Sequence, residues 1–396
     1  MSHLLVRQVQ PGEYRAAGYL VAQVFHEDER KRQQIFDYWI NRQPQEPGFD
    51  YAMHRVAIFD GKVVSYAMVK PYVLRYGRVK LRVAGVGAVC THPDYRQRGY
   101  ASAVLQDTLA YMAEQGVHLA LLDGVRGYYD RFGFSPVWPY YFFEVPAAEA
   151  AALEPPLSLR EPSAQDVPQM ARLYQKHWEG RVAFVRSPES WMWRVLYDDW
   201  GYVRVVEDAE GQIGGYIAGP DPTDSEIEVV ADTPDAAMTM LAECGRLCLD
   251  AGLDAVRWFM PPDDAVVAFA RPLLPVTVSA RYLPDGDWMA RLIDTHGLLE
   301  TLLPELIAQA NLADPHFDPD TLHFGFMPDQ VRLGLRGRDT ATCHLDHRDF
   351  IQIMFGSLRP SALALRPHTR LHPDGVRLLE MLFPPRMAAL GCWDWF

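Results

Sequence analysis

Apolar and polar positions change period along the chain, and the changes mark its elements. Tyr51–Phe59 and Lys62–Val73 are apolar-rich runs joined by Asp60-Gly61, a two-residue turn suited to a hairpin. Tyr76-Gly77 makes the next turn, into Arg78–Val89. Within that run, Val83–Val89 is apolar and glycine-containing, as a buried strand requires. Pro93 and Asp94 break it. From Gln97 the period turns helical, with Ala101, Val104, Leu105, Leu109 and Met112 on one face at steps of three and four. This helix runs to Gly116, and Val117–Leu122 is the strand after it. Upstream, residues 11–45 read as helical, one segment opening at Pro11 and another covering Asp28–Ile40.

Val145–Pro156 reads as a linker whose alanines can form a short helix. After it, Leu157-Ser-Leu-Arg begins much as Leu5-Val-Arg-Gln does, with a helix opening near Asp166. Tyr202–Glu207 and Gln212–Ala218 form a hairpin about Glu210-Gly211. Ile227–Ala231, a helix at Pro234–Ala251 and a strand at Ala255–Met260 complete a faint repeat of the first block. The character then changes. Arg291–Leu299 and Pro304–Ala310 read as short helices, and Leu322–Phe326, Gln330–Leu335 and Thr340–Leu345 as antiparallel strands. Asp349–Phe355 and Gly375–Leu382 are helical. The expected blocks are 1–145, 156–290 and 291–396.

Length and composition narrow the function. With 396 residues, 49% apolar and 22% charged, the chain is an ordinary globular protein of two or three domains. A net charge of −13 argues against nucleic-acid binding and favours cationic small molecules. No run approaches the ~20 apolar residues of a membrane span, and the N-terminus lacks a signal-peptide pattern. The five cysteines are scattered, with Cys244 and Cys248 at helical spacing, so neither a disulfide nor a zinc framework is expected. His344 and His347, and His368 and His372, have spacings a metal could use but no partner set, so no metal is expected. These readings place the protein in the cytoplasm.

The candidate chemistry sits between the strand ending at Thr91 and the helix after it. There Arg96, Gln97, Arg98, Gly99, Tyr100, Ala101 and Ser102 surround a helix start whose first N–H groups have no intrahelical partner. An anion such as a pyrophosphate fits there, drawn by the helix dipole and two arginines. Gly99 lets the backbone approach closely. Arg96-x-x-Gly99-x-Ala101 matches the acyl-coenzyme A motif, (Gln/Arg)-x-x-Gly-x-(Gly/Ala), of the GNAT N-acetyltransferases, and the region resembles that family. Tyr128-Tyr129-Asp130-Arg131-Phe132-Gly133-Phe134, after the next strand, is also similar to the family. A dinucleotide fold would need Gly-x-Gly-x-x-Gly, and Gly85-Val-Gly87 lacks the third glycine. The three blocks and the tail Cys392-Trp-Asp-Trp-Phe396 resemble the enhanced intracellular survival (Eis) type. That resemblance implies an α+β chain. Two GNAT folds in tandem, with mixed, mostly antiparallel sheets and flanking helices, precede a small sterol-carrier-like domain.

The resemblance also implies roles. Acetyl-coenzyme A is the co-substrate and a primary amine, of an aminoglycoside-like compound or a lysine side chain, the acceptor. The backbone of Val89, Cys90 and Thr91 holds the acetyl and pantetheine parts, and Gly124 and Val125 lie against the cofactor. Tyr129 is the general acid, with Tyr128 the alternative, and the α-carboxylate of Phe396 is the general base, with Asp394 the runner-up. Burial beside Trp395 would raise that carboxylate from its ordinary ~3.5. Phe36 and Trp39 are either acceptor-pocket or core aromatics, and an acyl-cysteine route through Cys90 stays open. In the second block, Ala231-Asp-Thr-Pro-Asp replaces the phosphate loop and adds negative charge, so no coenzyme is expected there. The family assembles as hexamers, which makes a homo-oligomer the expectation. The competing reading is a non-catalytic acyl-coenzyme A or lipid-binding protein.

Overall fold

A computed structural model of the chain describes residues 4–125, 127–197, 201–281, 287–327, 330–365, 371–388 and 394; the side chains of Asp287, Phe326 and Met327 are outside the description. The first block opens with β1 (Leu4–Gln8), α1 (Pro11–Phe25) and α2 (Glu29–Asp37). An antiparallel meander follows, β2 (His54–Phe59), β3 (Lys62–Tyr76) and β4 (Val79–Thr91), with β1 on its outer edge. Asp60 and Gly61 take φ of 48° and 75°, the two positive values a tight hairpin turn needs. The next turn is Gly77-Arg78 rather than Tyr76-Gly77, because Tyr76 still pairs with Val79. α3 (Tyr100–Glu114) then leads to β5 (Leu119–Gly124) and β6 (Ser135–Trp138).

Tyr51–Met53, expected as the start of a strand, forms a short 3-10 helix, and two further boundaries in this unit differ from the residue pattern. The helix starts at Tyr100, not Gln97, because Gln97 and Gly99 have φ of 61° and 81°, and left-handed residues cannot continue a right-handed helix. β5 starts at Leu119, not Val117, because the Val117 N–H still closes the end of α3 on the Met112 carbonyl at 3.0 Å.

The second block contains β7 (Tyr140–Pro146), α4 (Ala147–Ala151), β8 (Ser158–Arg160), α5 (Val167–His177), β9 (Val182–Val185) and α6 (Pro188–Leu196). It continues with β10 (Tyr202–Glu207), β11 (Ile213–Gly219), β12 (Glu228–Ala231), α7 (Pro234–Asp250), β13 (Ala255–Phe259), α8 (Ala265–Ala270), β14 (Thr277–Arg281) and β15 (Asp287–Leu292). Two of these strands change places. β7 leaves the first block and lies between β13 and β14, while β15 returns to lie between β5 and β6. Both strands are apolar on both faces. Trp288, Ala290 and Leu292 of β15 enter one core cluster and Met289 enters another. Phe142 and Phe143 of β7 divide in the same way. A strand buried on both faces has to be central in a sheet, and each block supplies the other's central strand. The lines drawn at 145 and 290 from sequence therefore do not separate the sheets.

The third block begins with one long helix, α9 (Thr295–Ala313), where the residue pattern gave two short ones starting at Arg291. Arg291 and Leu292 belong to β15, and Asp294 caps the helix by accepting from the Gly297 N–H at 2.9 Å. β16 (Leu322–Met327), β17 (Gln330–Leu335) and β18 (Arg338–Asp346) form an antiparallel sheet, backed by α10 (His347–Met354), α11 (Pro360–Leu363) and α12 (Pro373–Leu382). The tip of the β3–β4 hairpin is held in this block. The Tyr76 O–H donates to the Met354 carbonyl at 2.6 Å, and the Arg78 N–H donates to the buried Glu305 carboxylate at 2.9 Å. A Cβ at Gly77 would lie 2.3 Å from that carboxylate, so only glycine fits. Among the described residues, no helix is long and apolar enough to cross a membrane.

The exchange makes a direct prediction. A fragment of residues 1–138 has no strand to place between β5 and β6, and Phe134 and Leu122 lose their contact with Met289. It should show no cooperative urea transition by circular dichroism. A sigmoidal transition would contradict the exchange.

Candidate active site

The site is built on a parting of two strands. β4 and β5 are parallel neighbours, but their pairing covers only Val83–Leu119, Ala84–Ala120 and Gly85–Leu121. Beyond it, Val86–Thr91 and Leu122–Gly124 run on without pairing to each other. Ala88 has φ of 50°, and the register between β3 and β4 shifts at this point, so β4 bulges where the gap opens. Strand-edge N–H and C=O groups left unpaired in this way seek a partner. An extended, amide-containing chain can lie in the gap as a strand would. Val89 and Thr91 are half-buried along it.

The end of β4 leads to the anion cradle. Arg96 Nε donates to the Thr91 carbonyl at 3.3 Å, which ties the loop to the strand. Gln97 and Gly99, with positive φ, flank Arg98 and turn successive N–H groups towards one side. The space above Gly99 is open, and the first turn of α3 contains no acidic residue. Arg96, Gln97, Arg98 and Gly99 are exposed, and the Arg98 guanidinium lies 5.3 Å from the Tyr95 ring. Ala101 and Ser102 are half-buried in the first turn of the helix. The Tyr100 side chain is buried against Phe59, so its contribution to a ligand is its N–H. This arrangement suits a phosphate or diphosphate.

Tyr129 stands at the other wall. Its ring lies on Gly124, where a Cβ would come within 2.6 Å of it. It belongs to the cluster of Val86 and Leu122, the residues where the two strands separate. Burial, then Tyr128 and Asp123, push its phenol up to about 12. Tyr128 packs edge-on against it at 4.9 Å, with the Arg131 guanidinium 4.3 Å from the Tyr128 ring. Val125 is exposed at the rim. Arg126 lies outside the described residues.

Cys90 is different. Its side chain is buried in the cluster of Tyr14, Trp39 and Tyr66, on the opposite face, and burial pushes the thiol up to about 12. A thiol protonated throughout the neutral range is a poor nucleophile, which argues against the acyl-cysteine route. Trp39 is 6% exposed in that same cluster, which is the core alternative of the sequence reading. Phe36 packs on Tyr19 and Arg15 at the outer side of α1. Both aromatics therefore stand in a different group from Tyr129.

The residue pattern missed a buried charge network on that face. Lys70 pairs with Glu46 at 3.3 Å, and Glu46 also accepts from the Tyr38 O–H. Burial pushes Lys70 below its ordinary value. Nearby, Arg186 follows β9, which pairs with β3. Its guanidinium is 2% exposed and donates to both Glu228, at 2.5 and 2.8 Å, and Asp394, at 2.5 to 3.1 Å. Glu228 also accepts from the Tyr216 O–H at 2.7 Å. Burial alone would lower the Arg186 guanidinium, but Asp394 and Glu228 outweigh it and hold it well above its ordinary value. The available signal was a lone charge inside or beside an apolar run, as at Lys70, Arg186 and Glu228. Asp394, with both oxygens occupied by Arg186, is an anchor for the tail more than a free base. Phe396 lies outside the described residues.

Removing Arg186 would leave two buried carboxylates facing each other. Arg186→Met should lower stability by about 3–5 kcal/mol in urea denaturation at pH 8. A loss below about 1 kcal/mol at pH 8 would class the cluster with surface pairs.

Residues 5–137 match the family model described as an acetyltransferase (GNAT) domain. A search of curated proteins finds no significant match to the sequence. Among solved structures, a probable N-acyltransferase from Enterococcus faecalis is 14% identical, with all of both chains covered and a TM-score of 0.68. A GCN5-related N-acetyltransferase from Anabaena variabilis is 15% identical, with the same coverage and a TM-score of 0.67. The Eis protein of Mycobacterium abscessus is 17% identical, again with both chains covered, at 0.60. At these identities the likeness concerns the fold, and it extends over the whole chain. The first block is a GNAT domain, the architecture is consistent with tandem GNAT domains, and the protein is an acyltransferase.

Proposed function

We propose that the protein transfers acetyl from acetyl-coenzyme A to a primary amine, of an aminoglycoside-like compound or a lysine side chain. The observation that carries this reading is the gap between β4 and β5, with the amide cradle at one end and Tyr129 at the other. Pantetheine lies along Val89, Cys90 and Thr91, the pyrophosphate rests on the amides from Gln97 to Ser102, and Gly124 and Val125 border the thioester. Holding amine and thioester together supplies much of the acceleration.

The amine must be neutral to attack, so a base takes its proton. That base is the α-carboxylate of Phe396. Its support is the neighbouring anchor. Asp394 is buried on Arg186, and its charge is felt at Lys70 and Tyr72 of β3. Two residues of chain reach at most about 7 Å beyond that point. The amine nitrogen then forms a bond to the thioester carbon, the C–S bond breaks, and the sulfur takes a proton. Tyr129, protonated across the neutral range, offers its O–H to the departing sulfur and is reprotonated from water. A thiol near 8.5 is the stronger acid, so Tyr129 acts first as a hydrogen-bond donor to the developing thiolate.

In the second block, Thr233 caps α7 with its own side chain, and Asp232 and Asp235 flank the helix start. That end is unsuited to phosphate, and the block serves as scaffold. The third block is the sterol-carrier-like unit, the assembly a homo-oligomer and the location the cytoplasm.

With a thiol-release assay over a panel of amines, Tyr129→Phe should reduce kcat by about 10²-fold or more and leave coenzyme A affinity unchanged. Deleting Phe396, or adding residues after it, should do the same, while Cys90→Ala keeps full turnover. Unchanged kcat in the Tyr129 or Phe396 variants would rule out their roles.

A further inference from the structure

A second cavity, of about 850 Å³, opens between the first and third blocks. Arg131, Arg291 and Arg348 line it. Among the described residues, none of the three has a carboxylate partner. Arg291 donates to the Phe132 carbonyl at 2.6 Å, Arg348 donates to the Asp130 carbonyl at 2.5 Å, and Arg131 lies over the Tyr128 ring. Asp346 is in the wall, but its carboxylate is engaged by the Asp349 N–H at 2.7 Å as the cap of α10. The chain carries 51 acidic residues against 38 basic ones, so three guanidiniums facing a single wall carboxylate, and without an ion pair among the described residues, run against its overall charge. Arg291 is half-buried, and burial pushes it below its ordinary value with no acid to offset this.

Leu109, Ala113 and Ile293 give the lining an apolar part, while Gln106, Thr295 and His347 add polar side chains. The volume falls within the roughly 300–1,000 Å³ of small-molecule sites and exceeds what an inorganic phosphate fills. At 1.5 Å per residue, Leu109 to Ala113 lie about 15–21 Å along α3 from Gly99. The cavity is therefore distinct from the cradle at the start of α3.

We propose that this cavity binds a phosphorylated ligand of nucleotide size, its phosphates on Arg131, Arg291 and Arg348 and its ring on Leu109, Ala113 and Ile293. Two of these arginines hold the carbonyls of Asp130 and Phe132, in the turn that carries Tyr129. A ligand that draws them away shifts that turn and alters turnover. The second step rests on the role given to Tyr129; the binding step does not.

Adenosine diphosphate and pyrophosphate are the probes, titrated by calorimetry into the full chain saturated with coenzyme A. Adenosine diphosphate should bind more tightly than pyrophosphate. Arg131→Gln and Arg348→Gln, at exposed positions, should each weaken it about tenfold, the scale of one charge-assisted contact. No binding at millimolar concentration, loss of binding on saturation with coenzyme A, or wild-type affinity in both variants would overturn the site. Adenosine diphosphate should also change kcat at saturating acetyl-coenzyme A in the wild type and not in Arg348→Gln. Intact binding with unchanged kcat would overturn the coupling alone.

Discussion

The structure depends on the early end of one ladder. β4 and β5 pair over three residues and then separate. Backbone groups excluded from water need partners, so a gap of this kind is unfavourable unless something fills it. Two features hold it open. The bulge at Ala88 bends β4, and β15 holds β5 on its other edge from Leu292–Leu119 to Asp287–Gly124. The cleft thus relies on a strand that enters the sheet about 160 residues after β5 ends.

The same economy appears in the charges. Arg186 joins the second block, through Glu228 and Tyr216, to the tail at Asp394, while β9 beside it extends β3 of the first block. Buried ion clusters gain little net stability, since desolvation offsets much of their attraction. Their geometry is strict, however. One guanidinium shared by two carboxylates admits few arrangements, and it fixes Asp394 where its charge is felt at Lys70 and Tyr72. Stability and position are thereby set by different contacts, apolar clusters for the first and this cluster for the second.

The residue pattern showed what is local. The Asp60-Gly61 turn, the Gly99 motif and the strands of the third block follow from short-range backbone chemistry. The exchange of β7 and β15 was not legible, because an apolar run such as Trp288–Leu292 states that it is buried and not between which neighbours. The gap was invisible too: strand pairing is a relation between Gly85 and Leu121, and neither residue announces its end. The turn at Gly99 was legible because a glycine between a strand and a helix marks a left-handed residue, whereas Gln97 takes the same conformation without such a signal. The partners of Arg186 lie 42 and 208 residues away, and no periodicity links them.

The central claim is that the β4–β5 gap and the opening turn of α3 grip the acyl donor through backbone amides. Hydrogen exchange with and without acetyl-coenzyme A, read at single-residue resolution, tests it most directly. The account predicts slowed exchange at amides within Val86–Thr91 and Gln97–Ser102. Exchange that stays unchanged at both segments under saturating ligand would contradict it.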